Sequence, residues 1–112
     1  MSHLSIGISA AICAVLGDSM TSLNYADTPY WKVISNANNI IPYNYVISGS
    51  RIAVWEGHDQ SMCTRYANMT DAADIITVFG GTNDYGNTVT LGTINSVDTG
   101  TFYGALNVLC AG

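Results

Sequence analysis

Ala11-Ile12-Cys13-Ala14-Val15-Leu16-Gly17-Asp18-Ser19, AICAVLGDS, is an unbroken apolar run that stops at a glycine and delivers a serine. Continuous apolar character, rather than alternation, marks a parallel strand covered on both faces. Two later stretches have the same form: Tyr45 to Ile47 before Ser48-Gly49, and Ile75 to Phe79 before Gly80-Gly81. Each reads as a central strand that ends in a turn.

Parallel strands need crossovers, and the intervening sequence supplies helical patterns. Thr28-Pro29 reads as an N-cap followed by proline at the first helical position, with Tyr30, Trp31, Ile34 and Ala37 at helical spacing up to Asn38-Asn39. Asp59 can cap a second helix whose apolar side is Met62, Tyr66 and Met69, with Cys63 and Ala67 alongside. From Thr82 to Gly100 the chain is polar and too long for an ordinary connection, so it reads as a binding loop. A last helix is expected from about Asp98-Thr99, carrying Phe102, Leu106 and Leu109 inward and closing at Gly112.

The βαβαβ order, with right-handed crossovers, predicts an α/β fold: a three-layer α/β/α domain on a parallel, doubly wound sheet of about three strands. Ligands bind such sheets beyond the carboxyl ends of the strands. That rule brings Gly17-Asp18-Ser19, Ser48-Gly49-Ser50 and Gly81-Thr82-Asn83-Asp84 to one edge.

Composition narrows the partners. The chain has 112 residues, 48% hydrophobic and 10% charged, with net charge −5, which fits one domain spanning 1–112. Lys32, Arg51 and Arg65 are its only strong cations, too few for a basic patch, so nucleic acid is not expected as a partner. The apolar run from Leu4 to Leu16 is too short for a membrane span, which takes about 20 residues. It also lacks the cationic start of a signal peptide, leaving cytoplasm and secretion both open. Cys13, Cys63 and Cys110 are odd in number and contain no C-x-x-C pair; they read as buried, reduced thiols, with no metal site.

Gly17-Asp18-Ser19, Gly49 and Gly81-Thr82-Asn83-Asp84, in that order and each behind an apolar strand, resemble the first three sequence blocks of the SGNH hydrolases, also called GDSL esterases and lipases. The resemblance covers almost the whole chain and implies a flavodoxin-like sheet. It also implies a serine-dependent ester hydrolase working through an acyl-enzyme, on a small acyl group of a carbohydrate or a lipid-like ester. Ser19 would be the nucleophile. The N–H groups of Ser19 and Gly49 and the side-chain amide of Asn83 would form the oxyanion hole, where each donor is worth about 2.7–4 kcal/mol. Asp18, Asp84, Tyr85 and Asn87 are candidate substrate contacts, and no cofactor is implied. The G-x-S-x-G elbow of α/β-hydrolases fits less well, because Thr21 stands at the second glycine.

The resemblance also implies an Asp-x-x-His block near the carboxyl terminus, which this chain does not contain. A serine without an adjacent base is a poor nucleophile. His3 and His58 are the only histidines; His58, with Glu56 and Asp59 nearby, follows the second strand, and nothing in its spacing makes it the base. The family domain continues through further strands. These residues are therefore expected to be the amino-terminal part of a longer domain, inactive alone and prone to self-association or to pairing with the missing carboxyl-terminal portion. The alternative is a binding or assembly module that holds a ligand without turning it over.

Overall fold

The computed structural model describes residues 10–24, 27–57 and 60–112. Its sheet has three parallel strands, β1 (Ala11–Gly17), β2 (Ile40–Asn44) and β3 (Ile75–Phe79), in the order β2-β1-β3. Ala11 pairs with Ile40 on one side of β1, and Cys13 with Ile75 on the other. This is the α/β arrangement expected from the sequence, with one difference in rank. Only β1 is central, whereas β2 and β3 are edges.

Alternation along β1 separates two packing layers. Leu16 points into a cluster with Ile52, Ala53, Met62, Cys63, Ala105 and Leu109, while Cys13 and Val15 pack on Trp31 from the opposite side. Helix α1 (Tyr30–Ala37) thus covers one face. The other face is covered by α2 (Met62–Arg65), which tightens into a 3-10 turn at Tyr66–Asn68, and by α4 (Phe102–Ala111).

Several boundaries move from their expected places. The second strand begins at Ile40, not Tyr45; Tyr45 and Ile47 continue beside β1 by donating to the Val15 and Gly17 carbonyls at 2.9 and 3.1 Å. Pro42 is tolerated within β2 because an edge strand has one side without ladder bonds. Pro29 itself occupies the N-cap of α1, with no side-chain cap bond from Thr28. The expected cap of α2, Asp59, lies outside the described residues, as do His3 and His58; Ser61 holds the N-cap position. The stretch read as a loop contains a short helix, α3 (Thr82–Gly86). Helix α4 starts later than Asp98 because Asp98 closes a turn, its Oδ1 accepting from Gly100, before Thr101 caps the helix through the Gly104 N–H. Cys13 and Cys63 are buried, but Cys110 is exposed, contrary to the reading of three buried thiols.

Both edges expose apolar side chains, Ile41 and Tyr43 on β2 and more of them on β3. Along β3 the side chains of Ile75, Ile76, Val78 and Phe79 are all exposed, Ile76 by 60%. Among the described residues no helix is long and apolar enough to cross a membrane.

Leu16 is fully buried where β1 meets α2 and α4. Leu16→Ala is expected to lower the unfolding free energy by about 2–5 kcal/mol through lost transfer energy and the cavity left behind. A urea unfolding midpoint equal to that of the wild type would contradict this packing.

Candidate active site

The three loops that leave β1, β2 and β3 are joined by hydrogen bonds centred on Gly17 and Ser50. The Gly17 carbonyl, at the carboxyl end of β1, accepts from Ile47 N–H at 3.1 Å, from Arg65 Nη2 at 2.8 Å and from Ser50 Oγ at 3.3 Å. Ser50 Oγ accepts in turn from Arg65 Nη2 at 3.0 Å, and its carbonyl accepts from Asn83 Nδ2 at 2.9 Å. The first and third loops also touch directly, Thr82 Oγ1 lying 3.9 Å from the Met20 sulfur.

Ser19 opens a 3-10 turn, Ser19–Thr21, immediately after β1. Asp18 caps that turn, its Oδ1 accepting from Met20 N–H at 3.0 Å. Gly17 is required by close approach: a Cβ there would sit 2.7 Å from Thr21 Oγ1, while the Thr21 carbonyl is held by Trp31 Nε1 at 2.9 Å. Ser19 is half-buried, and its hydroxyl has no hydrogen-bond partner among the described residues.

Gly49 has φ +77°, a left-handed conformation in which glycine carries no Cβ penalty. Among the described residues the N–H groups of Ser19 and Gly49 have no acceptor. Asn83, on α3, spends one amide hydrogen on Ser50 and keeps a second. The three candidate oxyanion donors therefore sit on loops tied to one another, two as unengaged backbone donors and one as a partly engaged amide.

The candidate substrate contacts divide. Asp84 is 1% exposed, and its two carboxylate oxygens accept from the Ile52 and Ala53 N–H groups, each at 2.9 Å. It holds the loop after β2 through these two bonds. Asp18, also 1% exposed, is a cap; its Oδ2 is buried with no partner among the described residues. Both carboxylates are buried and bonded to backbone N–H groups, Asp84 through both oxygens and Asp18 through Oδ1 alone. Asn87 Nδ2 donates to the Asn83 carbonyl at 2.7 Å and holds the end of α3. Tyr85, 90% exposed, is accessible beside a cavity of about 180 Å³ that Val89, Leu91 and Phe102 also line.

Arg65 was not foreseen. Its Nε donates to the Tyr45 carbonyl at 3.1 Å and its Nη1 to the Gln60 carbonyl, in addition to the bonds to Gly17 and Ser50. Burial pushes its pKa down to about 10, opposed by the negative charge of Asp18, so it stays a cation at neutral pH. The available signal was a lone cation beside Met62 and Cys63 on the apolar side of its helix. Burial also raises the Cys63 thiol, which keeps it protonated. Among the described residues there is no cluster of three or more His, Cys, Asp or Glu able to hold a metal ion.

No protein-family model matches this chain, and no curated protein does. Solved structures do. A Lactobacillus plantarum protein determined by a structural genomics consortium is 38% identical, with a TM-score of 0.82 over 93% of this chain and 50% of its own. A second crystal structure is 32% identical, with a TM-score of 0.81 over 93% of this chain and 51% of its own. The chain thus spans about half the length of either.

Asp84→Ala would strand two N–H groups in the core, at about 1–3 kcal/mol for each unsatisfied donor. The expected result is a loss of about 2–6 kcal/mol in urea unfolding. Unchanged stability would show that the carboxylate does not organise the second loop.

Proposed function

We propose that this chain carries the nucleophile and oxyanion-hole half of a serine-dependent ester hydrolase of SGNH type. The observation that supports the reading most directly is the set of unengaged donors, Ser19 N–H and Gly49 N–H, on loops fastened to Asn83 through Ser50. Preorganised donors in that role stabilise the negative charge that develops on an ester carbonyl without having to reorient. Ser19 Oγ attacks the carbonyl carbon, the alcohol departs, and water releases the acyl group from the serine. Among the described residues no histidine stands beside Ser19 to take its proton.

That gap dictates the experiment. Hydrolysis of an activated short-chain aryl ester is measured with and without added imidazole, which supplies the base from solution. The wild type is expected to exceed Ser19→Ala, above the background of imidazole alone, and Asn83→Ala is expected to lower the serine-dependent rate by about 10²–10³-fold. Equal rates for wild type and Ser19→Ala would leave the non-catalytic binding module as the better reading.

The exposed apolar side chains of β3 favour an assembled state. An unpaired strand edge with apolar residues on both faces is a template for another chain, so the proposed partner is a second copy or the carboxyl-terminal portion of a longer domain. Sedimentation equilibrium at micromolar concentration is expected to give a mass above the 11.9 kDa of one chain. Ile76→Lys is expected to shift it towards the monomer; a monodisperse wild-type monomer would rule out self-association.

A further inference from the structure

Of the three strong cations in this acidic chain, two are buried at the edge that carries Ser19: Arg51 and Arg65 are each 9% exposed. Arg65 is accounted for, since four of its five N–H donors are taken by carbonyl and hydroxyl oxygens. Arg51 is not. Its Nε is buried and has no hydrogen-bond partner among the described residues. Its guanidinium carbon lies 3.7 Å from the centre of the Trp55 ring, which orients the group but uses none of its N–H donors in the plane. Arg51 and Trp55 line a cavity of about 250 Å³, together with Ser48, Gly49, Gln60 and Ser61.

A buried cation with an unused donor is costly unless something completes it. The cavity beside it offers the complement of an oxyanion, a planar fork on the arginine and neighbouring hydroxyls, with Gly49 on its wall. A guanidinium stacked on an aromatic ring keeps its edge free for a bidentate contact with carboxylate or phosphate. We propose that this cavity is an anion subsite, and that the ester hydrolysed at Ser19 carries a carboxylate or phosphate group held by Arg51. Gly49 belongs to both sites, so the anion would lie next to the reacting carbonyl. The substrate class deepens the ester-hydrolase reading and rests on it; the anion site itself stands independently of it.

The test separates the two. Sodium acetate and inorganic phosphate are titrated into the ¹⁵N-labelled protein, each against sodium chloride at the same ionic strength, while the arginine Nε–H and the Gly49 amide resonances are followed. The expected result is a saturable shift of Arg51 Nε–H and Gly49 with acetate, phosphate or both, with Arg65 Nε–H unmoved. Whichever oxyanion binds more tightly identifies the group on the substrate. Arg51→Lys keeps the charge but loses the fork, and is expected to weaken binding about 10-fold. No saturable shift in the wild type, or the same shift with chloride, would overturn the anion site whether or not the variant folds; so would unchanged affinity in a folded Arg51→Lys. A parallel comparison, with imidazole supplied as the base, uses a neutral aryl ester and one bearing a free carboxylate or phosphate, with the Ser19-dependent kcat/KM expected to favour the charged ester in the wild type and to lose that preference in Arg51→Lys. Anion binding without Ser19-dependent turnover would retain the subsite and remove the ester reading. Ser19-dependent turnover without anion binding would do the reverse.

Discussion

The carbonyl oxygen of Gly17 is where the central strand stops being a strand. Beyond that residue β1 no longer pairs with β3, and the acceptor is taken up by Ile47 N–H, Arg65 Nη2 and Ser50 Oγ. Satisfying this one buried acceptor draws the second loop and α2 against the turn that carries Ser19. Hydrogen bonds from a charged donor are roughly twice as strong as neutral ones, so the Arg65 contact is the one on which the arrangement depends. Its burial lowers the arginine towards about 10, yet the nearby negative charge of Asp18 and four oxygen acceptors keep the cation in place.

A second buried charge does comparable work for the third loop. Asp84, on the first turn of α3, receives the Ile52 and Ala53 N–H groups, while its neighbour Asn83 donates to Ser50. Adjacent residues thus divide two tasks: the carboxylate fixes the loop after β2, and the amide keeps a hydrogen available to a ligand. Arg65 bonds Ser50 while Asp84 bonds Ile52 and Ala53, so the segment that follows Gly49, itself at positive φ, is held at three successive contacts. Rigid support under unengaged donors is what an oxyanion site requires.

The same strands are less complete at the sheet's margin. One face of β1 is filled by Leu16 and its helix partners and the other by Trp31, but β3 leaves Ile76 and Val78 uncovered. The solved structures that share this fold are about twice as long.

Local pattern was enough to determine much of this protein. Unbroken apolar runs ending at Gly17 and Phe79 marked parallel strands, the Tyr30–Ala37 spacing marked a crossover helix, and topology alone brought three polar loops to one edge. What the pattern missed has a common cause. Whether Asp84 is a substrate contact or a structural anchor depends on Ile52 and Ala53, 32 and 31 residues away, and Arg65 reaches back 48 residues to Gly17. The position of β2 depended on ladder bonds to β1, and the exposure of Cys110 on which side of α4 found a neighbour. Periodicity reports which residues share a face over a few positions; the partner that buries, pairs or frees a polar group is chosen only when distant segments pack. Sequence therefore determined the fold class and the residues gathered at the edge, and tertiary structure decided which of them hold the loops and which are left with donors to offer.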